Sequence, residues 1–168
     1  MIARKIMLLG EIGVGKSSIA KRLVLDRFEF DYKPTIGVDV YQYDVPDDAG
    51  RPGMRLIVWD TDGNFGDAIF RHVYMRQASA AMIVGDVTRR GTLEAMAKLG
   101  EGFLDAFPGR HFTYLVNKFD LLAEGQLPDL PEPLTRQGIS LVRTSALTGD
   151  NVREAFRAAA DIIHRRAL

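Results

Sequence analysis

The sequence predicts an α/β domain built on a mostly parallel sheet. Strand-like and helix-like segments alternate along the whole chain, the pattern of strands joined by crossover helices. The runs 80–84 and 112–116 are short and continuously apolar, as in strands covered on both faces. A glycine-rich turn, Gly10-Glu11-Ile12-Gly13-Val14-Gly15-Lys16-Ser17, sits between an apolar run and a helix-like segment.

In chain order, Ile6, Met7, Leu8 and Leu9 mark a first strand over 4–9. Ile19, Ala20, Leu23 and Val24 mark a helix over 16–26. A strand follows near 38–45. The turn-rich segment Asp47-Asp48-Ala49-Gly50-Arg51-Pro52-Gly53 joins it antiparallel, at the sheet edge, to a strand starting at Met54 and ending at Asp60. Leu93, Met96, Ala97, Phe103, Leu104 and Phe107 outline a helix between the two apolar runs, stopped by Pro108-Gly109. Pro128, Pro131 and Pro133 make 125–135 irregular or at most briefly helical. Residues 139–142 form the last strand. Val152, Phe156, Ala159 and Ile163 share one face of a final helix, and Asn151 with Glu154 suits a capping box at its start.

At 168 residues, one domain spanning 1–168 is expected, large enough to bury about 70% of its unfolded surface. The formal net charge is +0, which gives no general attraction to nucleic acid or anionic membranes. The basic cluster His164-Arg165-Arg166 reads as a solvated helix end. Zero cysteines remove disulfides, thiol catalysis, thiolate metal sites, prenylation and palmitoylation, and Ile2 excludes N-myristoylation. No apolar run approaches the length of a bilayer span, and no signal peptide is evident. These features together point to a cytoplasmic protein without its own lipid anchor. The excess of arginine over lysine hints at a GC-rich, bacterial genome.

The glycine-rich turn carries the chemistry. Glycines let the backbone wind around an anion with successive N–H groups pointing inward, and the helix N-terminus adds partial positive charge. In this pattern Lys16 reaches the β- and γ-phosphates and the Ser17 hydroxyl ligates Mg²⁺. The expected ligand is a nucleoside triphosphate. Asn117-Lys118-Phe119-Asp120 follows a buried strand, at the sheet edge where such folds bind ligands. Asp120 can accept from guanine N1–H and the exocyclic amine, whereas facing adenine it would lose roughly 1–3 kcal/mol per unsatisfied buried group. Asn117 can hold the neighbouring loops and N7, the Lys118 stem can lie along the base, and a backbone N–H of Thr144-Ser145-Ala146 can donate to guanine O6.

With these segments the chain resembles a small GTPase of the Ras superfamily, closest to the Rab branch. Tyr32-Lys33-Pro34-Thr35-Ile36-Gly37-Val38-Asp39, Trp59-Asp60-Thr61-Asp62-Gly63, Asp86-Val87-Thr88 and Thr148-Gly149-Asp150-Asn151-Val152 join the resemblance, which covers nearly the whole chain. It implies the three-layer P-loop GTPase fold: six strands, mostly parallel, with one antiparallel edge strand and helices on both faces. It implies GTP or GDP and Mg²⁺ as cofactors. Gly10, Gly13, Val14, Gly15, Lys16, Ser17 and Ser18 would line the phosphates. Phe28, Asn117, Lys118, Asp120, Ser145, Ala146 and Leu147 would line the base, although an isolated phenylalanine such as Phe28 equally suits the core. Ser17, Thr35 and Asp60 would hold the metal, directly or through water, and Gly63 would offer its N–H to the γ-phosphate. Lys16, Thr35 and Asn64 would carry catalysis. Effectors, activating proteins and exchange factors would read the switch segments 30–40 and 62–76, where Phe65, Ile69, Phe70 and Tyr74 suit a partner surface or the sheet. A monomer without nucleic-acid partners is expected.

The departures from the family pattern matter. Asn64 stands where glutamine is usual, and a ~1.5 Å shortfall in reach can cost on the order of 10²-fold in rate, unless a main-chain shift lets it serve. Ile12 replaces glycine or serine where an activator's arginine would approach and should obstruct it; drift in a tolerant loop is the plainer account, but two changes beside the γ-phosphate favour altered hydrolysis. Asp62 replaces alanine, facing solvent, a second cation or a partner's basic residue. Leu147 replaces lysine beside the base. The chain closes at Leu168 with no cysteine-bearing tail, so membranes would be reached through a partner. A slow or partner-assisted GTPase switch is the leading expectation. The alternative is a non-hydrolysing GTP-binding interaction module; an ATP-dependent kinase lacks a lid or acceptor site.

Overall fold

The computed structural model describes residues 1–28, 38–61 and 77–168. Its strands are β1 (Ile2–Leu9), β2 (Val38–Val45), β3 (Met54–Thr61), β4 (Ala78–Asp86), β5 (His111–Asn117) and β6 (Leu141–Arg143). They form one sheet in the order β2-β3-β1-β4-β5-β6, with β2 antiparallel to β3 and every other pair parallel. The helices are α1 (Lys16–Leu25), α2 (Arg90–Ala106), the short α3 (Glu132–Thr135) and α4 (Val152–Arg166). The mixed sheet with an antiparallel edge strand is the one the sequence predicts.

The alternation of side chains along each strand sorts the core onto two faces. Ile6 and Leu8 of β1 meet Ile19, Ala20 and Leu23 of α1 and Phe156, Ala159 and Ile163 of α4. Met7 and Leu9 point the other way, against Leu93, Met96 and Phe103 of α2. Every residue of β4 is buried, because it lies inside the sheet with helices over both sides. Since α1 and α2 lie on opposite faces, the loops leaving β1 and β4 part in opposite directions. That is the topological switch point at which open α/β sheets form their binding crevice.

The edge hairpin is fastened to α4. Asp48 and Arg51 exchange backbone hydrogen bonds of 2.9 Å across the turn. The Arg51 side chain is 6% exposed; it pairs with Asp161 of α4 and donates to the carbonyls of Pro46 and Pro52.

Two local expectations are corrected. The capping box at α4 is absent: Asn151 is left-handed (φ 61°) and makes no side-chain cap, whereas an N-cap needs extended backbone. Its amide instead donates to the Arg143 carbonyl at 2.9 Å. The last strand begins later than expected. Ile139 N–H closes a turn onto Arg136 O (3.1 Å), so pairing with β5 starts where Ser140 O accepts Tyr114 N–H. Among the described residues no helix is long and apolar enough to cross a membrane.

His111 opens β5 with Nε2 2.9 Å from Thr113 Oγ1, which lies 3.1 Å from Ser140 Oγ. Burial, and then the charge of Arg166, lowers its pKa from 6.5 to about 4. The unfolded chain therefore binds more protons below pH 6.5, and stability falls as pH drops towards 4. The imidazole accounts for up to about 3 kcal/mol of that loss, at 1.36 kcal/mol per unit. His111→Gln is expected to flatten the pH 4–6.5 limb of the urea midpoint. An unchanged pH profile would exclude this histidine as its source.

Candidate functional site

The glycine-rich turn follows β1 and enters α1 directly. Gly10, Gly13 and Gly15 have φ of 149°, 78° and 103°, conformations that side-chain-bearing residues rarely adopt. Gly15 has a second reason to be glycine: a Cβ there would collide with the Asn117 side-chain nitrogen. Lys16 folds back across the loop, its Nζ 2.7 Å from Gly10 O and 2.9 Å from Glu11 O. A buried ammonium beside a helix N-terminus brings positive charge from two sources to one loop. Ser17, next on α1, donates its hydroxyl to the carboxylate of Asp60 at the end of β3. Two hard oxygen donors from distant segments thus meet beside the loop. Ser18 is half-buried on α1, and Phe28 is half-buried against the α1–α4 side of the core.

The segment after β5 lies against the same loop. Asn117 is 1% exposed; its Nδ2 donates to Val14 O at 3.0 Å, while its Oδ1 accepts from Thr144 Oγ1 (3.1 Å) and Ala146 N–H (3.3 Å). Lys118, left-handed at φ 65°, reaches Gly13 O at 2.8 Å and the Asp86 carboxylate at 2.9 Å. Asp120 is exposed and accepts the Ser145 hydroxyl at 2.7 Å. The Ser145 N–H is taken by Asp150 O at 3.1 Å, so in the 144–147 loop Ser145 works through its hydroxyl.

Asp86 ends β4 and carries the other half of the Lys118 pair. Burial pushes its carboxyl up, but hydrogen bonds from Thr88 and Lys118 outweigh this and hold it below the usual carboxylate range. Its Oδ1 accepts both the N–H and the hydroxyl of Thr88. From the same β4–α2 loop Arg89 donates to Ile12 O at 3.1 Å.

The structure therefore gathers Gly10, Gly13, Val14, Gly15, Lys16, Ser17, Asp60, Asn117, Lys118, Asp120, Ser145, Ala146 and Leu147 at the carboxyl edge of the sheet. Thr35, Asp62, Gly63, Asn64 and the partner-surface residues 65–74 lie outside the described residues. Sequence reasoning passed over Asp86, Arg89, Thr144 and Arg22 as site residues. Asp86 and Thr144 stood inside noticed motifs; the Lys118 and Asn117 they meet lie more than twenty residues away, where no local pattern reports them.

A mixed six-stranded sheet with this loop between β1 and α1 is the Ras-like phosphate-loop GTPase fold. The family model described as Ras family matches residues 5–165. This chain belongs to that family and is a Rab-like, GTP-binding small GTPase. It is 33% identical to human Ras-related protein Rab-31 over 156 residues, spanning 91% of this chain and 79% of the relative. To Ras-related protein RABA6b of Arabidopsis thaliana it is 34% identical over 168 residues, spanning 95% and 70%. A 94-residue stretch is 44% identical to Ras-related protein Rab-32A of Dictyostelium discoideum, 56% of this chain and 42% of the relative.

Removing a carboxylate that neutralises a partly buried ammonium costs about 1–3 kcal/mol. Asp86→Asn is accordingly expected to lower the melting temperature of the GDP-bound protein by a few degrees and to speed GDP release. A variant that melts and releases like the parent would show that the Lys118 pair contributes nothing.

Proposed function

We propose that this chain is a guanine-nucleotide switch that binds GTP or GDP with Mg²⁺ and hydrolyses GTP slowly unless a partner assists. The observation that carries the reading is the Asn117 side chain, which joins the Val14 carbonyl of the phosphate loop to Thr144 and Ala146 of the base-side loop. Such a bridge makes phosphate binding and base recognition one event. In this reading the amides of 13–18 and the Lys16 ammonium hold the phosphates. Asp120, oriented by Ser145, accepts from the guanine N1–H and amine. The Thr144, Ser145 and Ala146 N–H groups are taken by Val116 O, Asp150 O and Asn117 Oδ1, so Leu147 would present its amide to O6, and Phe28 packs against the base.

The oxygen donors suit magnesium. Among the described residues no cluster of three or more His, Cys, Asp or Glu side chains is formed, and Mg²⁺ needs none, since it takes one or two protein oxygens and fills its octahedron with water and phosphate. Ser17 and Asp60 would hold it, with Thr35 completing the set. When bound, it neutralises charge on the β- and γ-oxygens. Asn64 would orient the attacking water, one methylene short of the usual glutamine, and Gly63 would donate to the γ-phosphate. Ile12, 44% exposed, stands at the approach an activator's arginine takes. Asn64 favours a low intrinsic rate, and Ile12 limits the gain an arginine-supplying activator can give. Order in 30–40 and 62–76 would follow the γ-phosphate, for effectors, activating proteins and exchange factors to read from a monomer.

Asn64→Gln is expected to raise single-turnover GTP hydrolysis by about 10–100-fold; an unchanged rate would remove Asn64 from the mechanism. Asp120→Asn is expected to move nucleobase preference from guanine towards xanthine, whose 2-oxo group accepts where guanine donates. Equal competition by ATP and GTP in the parent would refute the guanine reading.

A further inference from the structure

Arg22 lies on α1, six residues beyond Lys16, and belongs to no recognised motif. Its side chain is 15% exposed. The guanidinium fork spans three main-chain carbonyls: Nε reaches Ala146 O at 2.9 Å, Nη2 reaches Leu147 O at 2.6 Å and Nη1 reaches Asp26 O at 3.0 Å. Its own backbone carbonyl accepts the Asp26 N–H at 3.0 Å, and the Asp26 carboxylate lies 3.6 Å from Nη1. The end of α1 and the fork therefore hold one another in place.

The two loop carbonyls it grips belong to consecutive peptide units. In a trans peptide the N–H points opposite to the carbonyl, so fixing Ala146 O fixes the direction of the Leu147 N–H. Fixing Leu147 O does the same for the Thr148 N–H, which donates to Ser145 Oγ at 3.1 Å; that hydroxyl in turn donates to Asp120. Asn117 holds the loop from the inner side through Ala146 N–H, and Arg22 holds it from the outer side. A cation on a carbonyl makes a stronger hydrogen bond than a neutral donor, and it polarises the amide beyond it. Bonds of this kind tie α1, which begins at the phosphate loop, to the loop that faces the base.

We infer that Arg22 is a positioning residue for nucleobase recognition: it aims the Leu147 and Thr148 amides and, through Ser145, the Asp120 carboxylate, and so sets guanine preference and nucleotide residence time. The inference rests on the assignment of Asp120 and residues 145–147 to the base. Lysine is a poor replacement, because one ammonium point charge lacks the fork that spans two carbonyls.

The test uses the full chain with Mg²⁺, three probes and two variants. Binding of GDP, ADP and inorganic tripolyphosphate is measured for the parent, Arg22→Met and Arg22→Lys, with the GDP dissociation rate beside it. Arg22→Met is expected to release GDP about tenfold faster and to lower the GDP-over-ADP affinity ratio by a similar factor, with tripolyphosphate affinity unchanged. Arg22→Lys, the milder change should methionine prevent folding, is expected to lower both by about threefold. An unaltered ratio and release rate in the variants would overturn the inference. So would equal loss of GDP and tripolyphosphate affinity, which would make Arg22 a general support of α1. A parent that does not prefer GDP to ADP would instead refute the base assignment itself.

Discussion

One buried amide organises this molecule. The Asn117 side chain donates to Val14 and accepts from Thr144 and Ala146, so three segments far apart in sequence share a single group. An asparagine amide offers donors on one side and acceptors on the other, which a carboxylate or an ammonium does not. The absence of a side chain at Gly15 leaves it room. Were the amide lost, buried backbone groups on both loops would stand without partners, each costing more than one hydrogen bond is worth.

Around that amide the parallel sheet does the gathering. The loops after β1, β4, β5 and β6 all emerge on one edge because those strands run the same way, and β3 ends there with Asp60 and Thr61. Charged and neutral polar groups are paired at that edge. Lys118 answers Asp86, Arg89 reaches the Ile12 carbonyl, and the Ser17 hydroxyl meets the Asp60 carboxylate. At the far end of the sheet, Arg51 with Asp161 secures the hairpin to α4. The scaffold is thus tied at both ends.

Two departures from the family pattern, Ile12 and Leu147, fall at the rim. Ile12 is exposed and its carbonyl is held by Arg89, so its side chain is free to meet a visitor without disturbing the loop. Leu147 is 39% exposed; its carbonyl holds Arg22, a contact that does not depend on the side chain there. Substitution at these two positions leaves the main-chain framework of the Rab-like site intact.

Features whose cause is local were legible in the sequence. The glycine turn between strand and helix, the alternation of elements, the antiparallel edge and the face of α4 all follow from short-range periodicity and backbone freedom, and the structure has each. The capping box at Asn151 failed because a β6 carbonyl competes for its amide. The strand at 139–142 started late because a turn at 136–139 takes the first backbone bond. Asp86 and Arg22 went unassigned for a related reason: Arg22 meets its carbonyls 124 and 125 residues along the chain. The sequence by itself determined where the glycine-rich turn and the motif-bearing loops at the carboxyl edge of the sheet fall. Tertiary structure alone decided which side chains hold those segments in register, because a hydrogen bond between distant residues leaves no periodic trace in either of them.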